Sequence, residues 1–197
     1  PADKTYDCKG IFVLGNLRLH CWDRYGHGEV GLHDAIKTSC NSFFCNLGRV
    51  VGTNDLIAAA KSFGLGKKTG IDLPGEKRGL IPNAAFYDKA YKERWNGLTI
   101  ISISIGQGEV NLTPLQIANL GATIANRGYY ITPHVVKDIK GERIDTAYNT
   151  KHYTMASRSA YDYVVAGMRS AVTSGTCRAA NRSDYTVCGK TGTAQNR

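Results

Sequence analysis

Toward its end the chain reads Val187-Cys188-Gly189-Lys190-Thr191-Gly192-Thr193-Ala194, a set of residue types suited to holding an anion. Lys190 brings a fixed cation, Thr191 and Thr193 bring hydroxyls, and glycine within β-favouring sequence marks a close approach to backbone N–H groups. Groups of this kind bind a carboxylate and stabilise an oxyanion beside it. Alone, Lys-Thr-Gly is common at strand ends and turns. It gains meaning from Ser39-Cys40-Asn41, which offers a hydroxyl and a carboxamide from the far side of the sequence. Each residue also has a plainer use: Ser39 caps the helix that follows, and Lys190 guards a strand edge.

Positioning these groups is a task for a single domain. With 197 residues, 42% of them apolar, the chain has enough material for a core. It contains no run of 18 apolar residues, and its opening Pro1-Ala2-Asp3 reads as the middle of a longer polypeptide. The formal charge of +9 is spread along the length, which favours anionic partners such as a membrane surface or a carboxylate-rich polymer. The densest basic run, Lys89 to Trp95, is interleaved with Asp88 and Glu93. That pattern is a solvated helix face, so no nucleic-acid partner is expected.

Two short strands, Ile11 to Leu14 and Leu17 to Cys21, are joined through Gly15-Asn16 as a tight hairpin. Arg24 to Gly28 is a loop whose glycines free His27. Leu32, Ile36, Phe43, Leu47 and Val50 keep helical spacing, so Leu32 to Val51 reads as helix. Ser39 and Asn41 lie two residues apart, about 200° around a helix. They share a cleft only if the helix breaks at Cys40. Asp55 to Phe63 is a second helix, capped by Thr53 or Asn54 and followed by Gly64. Asn83 to Trp95 is a short helix, and Thr99 to Ile105 alternates isoleucine with serine as an extended segment would, leading into the turn Gly106-Gln107-Gly108. Thr113-Pro114-Leu115-Gln116 is a capping box that opens a helix to Asn126, apolar on most sides and expected to be buried. Tyr129 to Lys140 is extended. Ser157 caps a last helix that buries Tyr161, Val164, Val165, Met168 and Val172 and stops at Gly175. Thr186 to Thr193 is the strand that carries the lysine.

Ser39-x-Asn41 followed much later by Lys190-Thr191-Gly192 resembles the motif set of the penicillin-interacting serine transferases, a worked case among motifs with known mechanics. Further matches are Gly70-Ile71-Asp72-Leu73-Pro74-Gly75-Glu76, Ser104-Ile105-Gly106-Gln107-Gly108 with Thr113-Pro114-Leu115-Gln116, and Lys190 to Gln195. The combination resembles the class B penicillin-binding proteins over essentially the whole chain. Trp22, Gly26-His27-Gly28 and Trp95 fit the elongation branch typified by penicillin-binding protein 2. The resemblance implies an α/β (α+β) fragment of the β-lactamase/transpeptidase-like fold, residues 1–197 being a partial transpeptidase domain. That fragment is mostly the helical part plus the strand carrying Lys-Thr-Gly. Family members carry a Ser-x-x-Lys nucleophile motif ahead of Ser-x-Asn. None of the ten serines here has lysine three positions on, so that motif is expected upstream of Pro1, and further sheet strands beyond the end.

By the same resemblance the whole enzyme is a D,D-transpeptidase. Its serine attacks the D-Ala–D-Ala end of a peptidoglycan stem peptide, releases D-alanine and passes the acyl group to a neighbouring amine. Ser39 and Lys190 relay protons, Asn41 holds the substrate amide, Thr191, Gly192 and Thr193 bind the terminal carboxylate, and the Thr193 N–H forms half an oxyanion hole. The implied partners are stem peptides, β-lactam antibiotics, a glycosyltransferase and membrane proteins of the elongation complex, at the periplasmic face of the bacterial inner membrane. Rival readings are a septal transpeptidase, a β-lactamase or β-lactam sensor of the same fold, and a non-catalytic protein that binds stem peptides.

Cys8, Cys21, His27 and Cys40 offer three thiolates and one imidazole, the ligand set of a closed structural zinc site, and resemble the metal site near this motif in the elongation branch. The alternative is a Cys8–Cys21 disulfide, natural in an oxidising compartment. Cys177 and Cys188 are candidates for a second bridge, and Cys45 for a buried apolar role.

Overall fold

The computed structural model describes residues 3–92, 95, 101–143 and 145–193. The chain opens with β1 (Tyr6–Cys8), β2 (Ile11–Leu14), β3 (Leu17–His20) and β4 (Gly28–Val30). The expected hairpin is present, with Leu14 opposite Leu17 and Ile11 opposite His20. Gly15 alone in its turn has positive φ, +56°, the arrangement of a II′ connection. The stretch read as a loop around His27 proves to deliver a strand: β4 pairs antiparallel with β1, setting Cys8 opposite Gly28.

Helix α1 (Leu32–Thr38) and helix α2 (Asn41–Val51) are separated by Ser39 and Cys40, the break that a shared cleft requires. On α2, Phe43 and Cys45 are buried, and Phe43 joins Cys8, Cys21, Val30, Ala35 and Cys40 in one core cluster. Burying a phenylalanine contributes about 2–3 kcal/mol. A second cluster sets Phe12 of the hairpin against Cys45 and Ile101. Cys45 is fully buried, as expected of a small apolar residue, and burial pushes its thiol up to about 12.

Helix α3 spans Thr53–Ser62 with Gly52 at its cap position and no side-chain cap bond, so neither Thr53 nor Asn54 caps it. Helix α4 (Ala84–Tyr91) is capped by the Asn83 side chain. It ends short of Trp95, whose neighbours Glu93 and Arg94 lie outside the described residues. Ile101–Ile105 is a 3-10 helix rather than an extended segment, Thr99 and Ile100 lying outside the description. Alternation makes a strand only where a ladder partner exists. Here the segment packs on α2, and the Ser104 hydroxyl donates to the Ile101 carbonyl at 2.6 Å, closing a turn.

Helix α5 (Pro114–Ala125) has the full capping box at Thr113 and Gln116, but its buried residues are Gln116, Asn119 and Thr123, while Ile117 is exposed. Gln116 is the reason in part. Its amide donates to the carbonyls of Lys67 and Arg78, so the loop below α5 is held by a polar anchor where an apolar one was expected. From the stretch read as extended, only β5 (Tyr129–Tyr130) pairs, with β6 (His152–Tyr153). Helix α6 (Arg158–Ser174) starts at Ser157 and stops at Gly175. Tyr161 and Val172 are buried as expected, with Val164, Val165 and Met168 partly so. The face of α6 that meets α1 is made of small residues: a Cβ on Gly167 would fall 2.9 Å from the Ile36 side chain, and one on Gly175 would fall 2.2 Å from the Lys37 carbonyl oxygen.

The segment from Thr186 to Thr193 forms no ladder among the described residues. It is tied down instead from α6: the Gly189 N–H donates to the Met168 carbonyl at 3.2 Å, and Arg169 donates to the Val187 carbonyl at 2.8 Å. A strand needs a neighbour on at least one edge, and here the neighbour is a helix. The mixture of helices with short antiparallel pairs is the α+β character expected.

Candidate active site

The turn between α1 and α2 sets the geometry. Ser39 ends α1 in the left-handed conformation, φ 55° and ψ 45°, which costs a non-glycine residue about 1–2 kcal/mol. Its surroundings hold it there: the next residue, Cys40, is fully buried, and the Cys40 N–H donates to the Ala35 carbonyl at 3.0 Å. The reversal sends three consecutive side chains in three directions. Ser39 faces the segment carrying Lys190, Cys40 enters the core, and the Asn41 carboxamide donates to the His20 carbonyl at the end of the hairpin at 3.1 Å.

Ser39, Lys190 and Thr191 meet. The Lys190 ammonium donates to the Ser39 hydroxyl, and also to the Thr191 carbonyl at 3.1 Å. The Ser39 and Thr191 hydroxyls are 2.9 Å apart. Although Lys190 as a residue is exposed, desolvation by the surrounding protein disfavours its charged form and lowers its pKa below the usual 10.5. Gly192 and Thr193 are exposed beside this cluster. Among the described residues, no hydrogen bond joins Asn41 to Ser39 or Lys190. Asn41 borders the cluster through the shared turn and is aimed by the hairpin.

Two residues given no role in the sequence reading complete the arrangement. Thr176 places its hydroxyl 3.3 Å from Ser39 and 3.2 Å from Thr191. Nothing marked it beforehand, because a threonine just past a helix end is ordinary. Gln107, in the turn whose glycines did draw attention, donates its side-chain amide to the Thr193 carbonyl. It thereby ties the 3-10 helix region to the Thr193 end of the cluster.

Behind the same turn, the ligand atoms of Cys8, Cys21, His27 and Cys40 all lie within 4.8 Å of one another. His27 Nδ1 is 3.6 Å from the Cys8 sulfur and 3.5 Å from the Cys21 sulfur. A tetrahedral zinc with standard bond lengths sets a sulfur and a nitrogen ligand roughly 3.6 Å apart, so the residues fit such an ion. The group is able to hold a metal. A hydrogen bond with Cys40, the largest influence, holds the Cys21 thiol well below the usual thiol range, while that bond and burial push Cys40 up. Trp22 stands edge-on to the His27 ring, centroids 5.3 Å apart, and its indole N–H donates to the Thr38 carbonyl at 2.7 Å. All six cysteines are free thiols; the alternative Cys8–Cys21 bridge and the candidate Cys177–Cys188 bridge are not formed.

The penicillin-binding protein transpeptidase domain matches residues 1–197. The peptidoglycan D,D-transpeptidase MrdA of Acinetobacter baumannii is 38% identical over 178 residues, covering 88% of this chain and 26% of that protein. A crystal structure of Pseudomonas aeruginosa PBP2 in complex with WCK 5153 superposes with a TM-score of 0.88 at 32% identity, covering 98% of this chain and 45% of that one. The PBP2–MreC complex from Helicobacter pylori gives a TM-score of 0.87 at 27% identity, over 100% and 36% of the two chains. The chain thus spans about a quarter of the length of its curated relative.

Proposed function

The chain belongs to the penicillin-binding protein transpeptidase domain family, and from that premise we propose that the protein containing it is a serine-type peptidoglycan D,D-transpeptidase of cell-wall elongation. The observation that carries this reading is the convergence of the Ser39 hydroxyl, the Lys190 ammonium and the Thr191 hydroxyl from segments 151 residues apart. Residues 1–197 are then part of the catalytic domain, and the Ser-x-x-Lys nucleophile comes from residues outside them. The attacking serine forms an ester with the penultimate D-alanine of a stem peptide, and the C–N bond to the terminal D-alanine breaks. Ser39 and Lys190 pass a proton to the leaving amine and later take one from the incoming amine. Thr191 and Thr193 bind the terminal carboxylate across the bare backbone at Gly192. The Thr193 N–H is half of the oxyanion hole, where one lost donor costs about 3 kcal/mol of transition-state stabilisation. Asn41, its Nδ2 engaged by His20, presents its oxygen to the substrate amide.

The same proposal gives Cys8, Cys21, His27 and Cys40 one structural zinc, supported by their ligand types and spacing. The ion supplies a fixed four-armed link. The residues themselves do the positioning, since Cys40 lies between Ser39 and Asn41 and Cys21 follows the hairpin that holds Asn41. The protein acts at the periplasmic face of the inner membrane, anchored by a transmembrane helix outside this chain; among the described residues no helix is long and apolar enough to cross a membrane. Its partners are stem peptides, β-lactam antibiotics as covalent inhibitors, a glycosyltransferase, and a membrane protein of the elongation complex such as the MreC bound by the H. pylori relative.

A fluorescent penicillin tests the reading. It should label the full-length protein covalently, and labelling should be blocked by prior treatment with unlabelled penicillin. No label would leave the stem-peptide-binding alternative, and rapid release of the label would leave a β-lactamase. Metal analysis should find about one zinc per chain, retained on dialysis.

A further inference from the structure

We propose that Thr176 is a positioning residue of this site, the fixed acceptor that orders the Ser39 and Thr191 hydroxyls. The inference rests on the transpeptidase reading and deepens it. The geometry begins with the close approach of α6 to α1. Because Gly175 lacks a Cβ, the chain leaving α6 passes directly over the carbonyl of Lys37, where a side chain would sit 2.2 Å from the oxygen. The Thr176 N–H donates to that carbonyl at 3.1 Å, and the Thr176 hydroxyl donates to it at 3.4 Å. Lys37 is two residues before Ser39, so Thr176 is bolted to the end of the helix whose reversal aims Ser39.

Proton counting gives this contact a direction. Each hydroxyl has one proton to donate and room to accept, and a carbonyl only accepts. With its proton on the Lys37 carbonyl, Thr176 turns oxygen lone pairs toward its neighbours. Those neighbours are Ser39 at 3.3 Å and Thr191 at 3.2 Å. Lys190 donates to the Ser39 hydroxyl and, at 3.4 Å, to the Thr191 hydroxyl. The Ser39–Thr191 and Thr191–Thr176 contacts can run either way, and the order in which Ser39 donates to Thr191 and Thr191 to Thr176 gives every hydroxyl proton an acceptor. When a substrate carboxylate accepts the Thr191 proton instead, the Ser39 proton has Thr176 as its second acceptor. Ser39 therefore keeps a lone pair turned to Lys190 whether the cleft is empty or filled, as a proton relay through Ser39 requires.

The test is the rate of covalent labelling of the full-length protein by a fluorescent penicillin, resolved into the apparent affinity and the limiting acylation rate. Thr176→Val removes the hydroxyl and keeps shape. Its limiting rate should fall about tenfold, the worth of a hydrogen bond in a charged network, with apparent affinity within about twofold. Thr176→Ser, which restores the hydroxyl, should recover most of the rate. Thr176→Ala is the control for packing and should match Thr176→Val. Equal rates for the valine, serine and wild-type proteins would overturn the proposal while leaving the transpeptidase reading intact. So would a loss in Thr176→Ser as large as in Thr176→Val, because it would mean that the methyl group and not the hydroxyl matters. If the wild-type protein takes no label, the transpeptidase reading fails and this inference with it.

Discussion

On one side of the α1–α2 turn lies the group Cys8, Cys21, His27 and Cys40, with its three cysteines no more than 1% exposed. On the other lie Ser39, Lys190 and Thr191, open to solvent at least in part. The first region is closed by the core around it, with Phe43, Val30 and Ala35 in the same cluster. The second is held by hydrogen bonds between its segments, and its lysine-bearing segment has no ladder partner among the described residues. Neighbouring residues thus serve opposite ends: Cys40 is rigid because it is buried, and Ser39 is accessible because its backbone turns left-handed. The difference shows how an exposed group can be placed accurately. The order is built in the dry region and transmitted through one peptide unit, so the wet region need not be stable by itself.

Breaking the open region should have the largest effect. Lys190→Arg keeps a cation but fixes its proton, since arginine does not deprotonate in proteins. Acylation by penicillin should fall about a thousandfold, within the usual worth of a positioned acid–base group, with little change in thermal midpoint. The pH profile sharpens the assignment. Desolvation lowers the Lys190 pKa below 10.5, so the protonated amine proposed to donate to the leaving group is lost at lower pH than for a free lysine. The wild-type rate should decline on the alkaline side through a pKa below 10.5, and Lys190→Arg should lack that limb.

Breaking the closed region should cost stability first and activity second. Cys40→Ser removes one thiolate at nearly constant volume. If the four residues hold zinc, metal content should drop and the thermal midpoint should fall by about 10 °C, as losing a structural metal does in a chain of this size. Acylation should slow in parallel, because Ser39 and Asn41 share the support of residue 40. An unchanged midpoint with no zinc in the wild-type protein would sever the two regions.

The two regions were unequally legible in the sequence. The Cys8 and Cys21 pair could be placed because Gly15-Asn16 fixes a hairpin locally, and the break at Ser39–Cys40 followed from the need to turn two side chains by 200° within two residues. The β1–β4 pairing escaped because strands of three residues carry almost no periodic signal, and Gly26 and Gly28 read as loop. The Lys190 segment forms no ladder among the described residues for a related reason: its β-favouring residues describe what the backbone prefers, and a ladder also needs a neighbour. Isoleucine–serine alternation over Ile101–Ile105 misled in the same way, the Ser104 hydroxyl being used to close a turn. Thr176 was invisible because its role comes from where Gly175 lets the end of α6 meet Lys37 of α1, a contact between residues 138 apart in the sequence that no local pattern encodes.

The smallest predicted effect addresses the join itself. Trp22 touches both sides at once, its ring edge against His27 and its N–H on the carbonyl of Thr38, the residue before Ser39. Trp22→Phe preserves an aromatic edge for His27 and deletes only the hydrogen bond. A single neutral bond of this kind contributes about 1 kcal/mol, so the midpoint should fall by about 2–4 °C, with zinc fully retained. Because the lost bond anchors the last carbonyl of α1, the remaining effect should appear as a severalfold slower limiting acylation rate, with apparent penicillin affinity unchanged. Slower acylation with intact metal would show that the indole holds the Ser39 turn from outside the cysteine cluster. Loss of zinc instead would place Trp22 with the closed region, as the wall that keeps His27 in position.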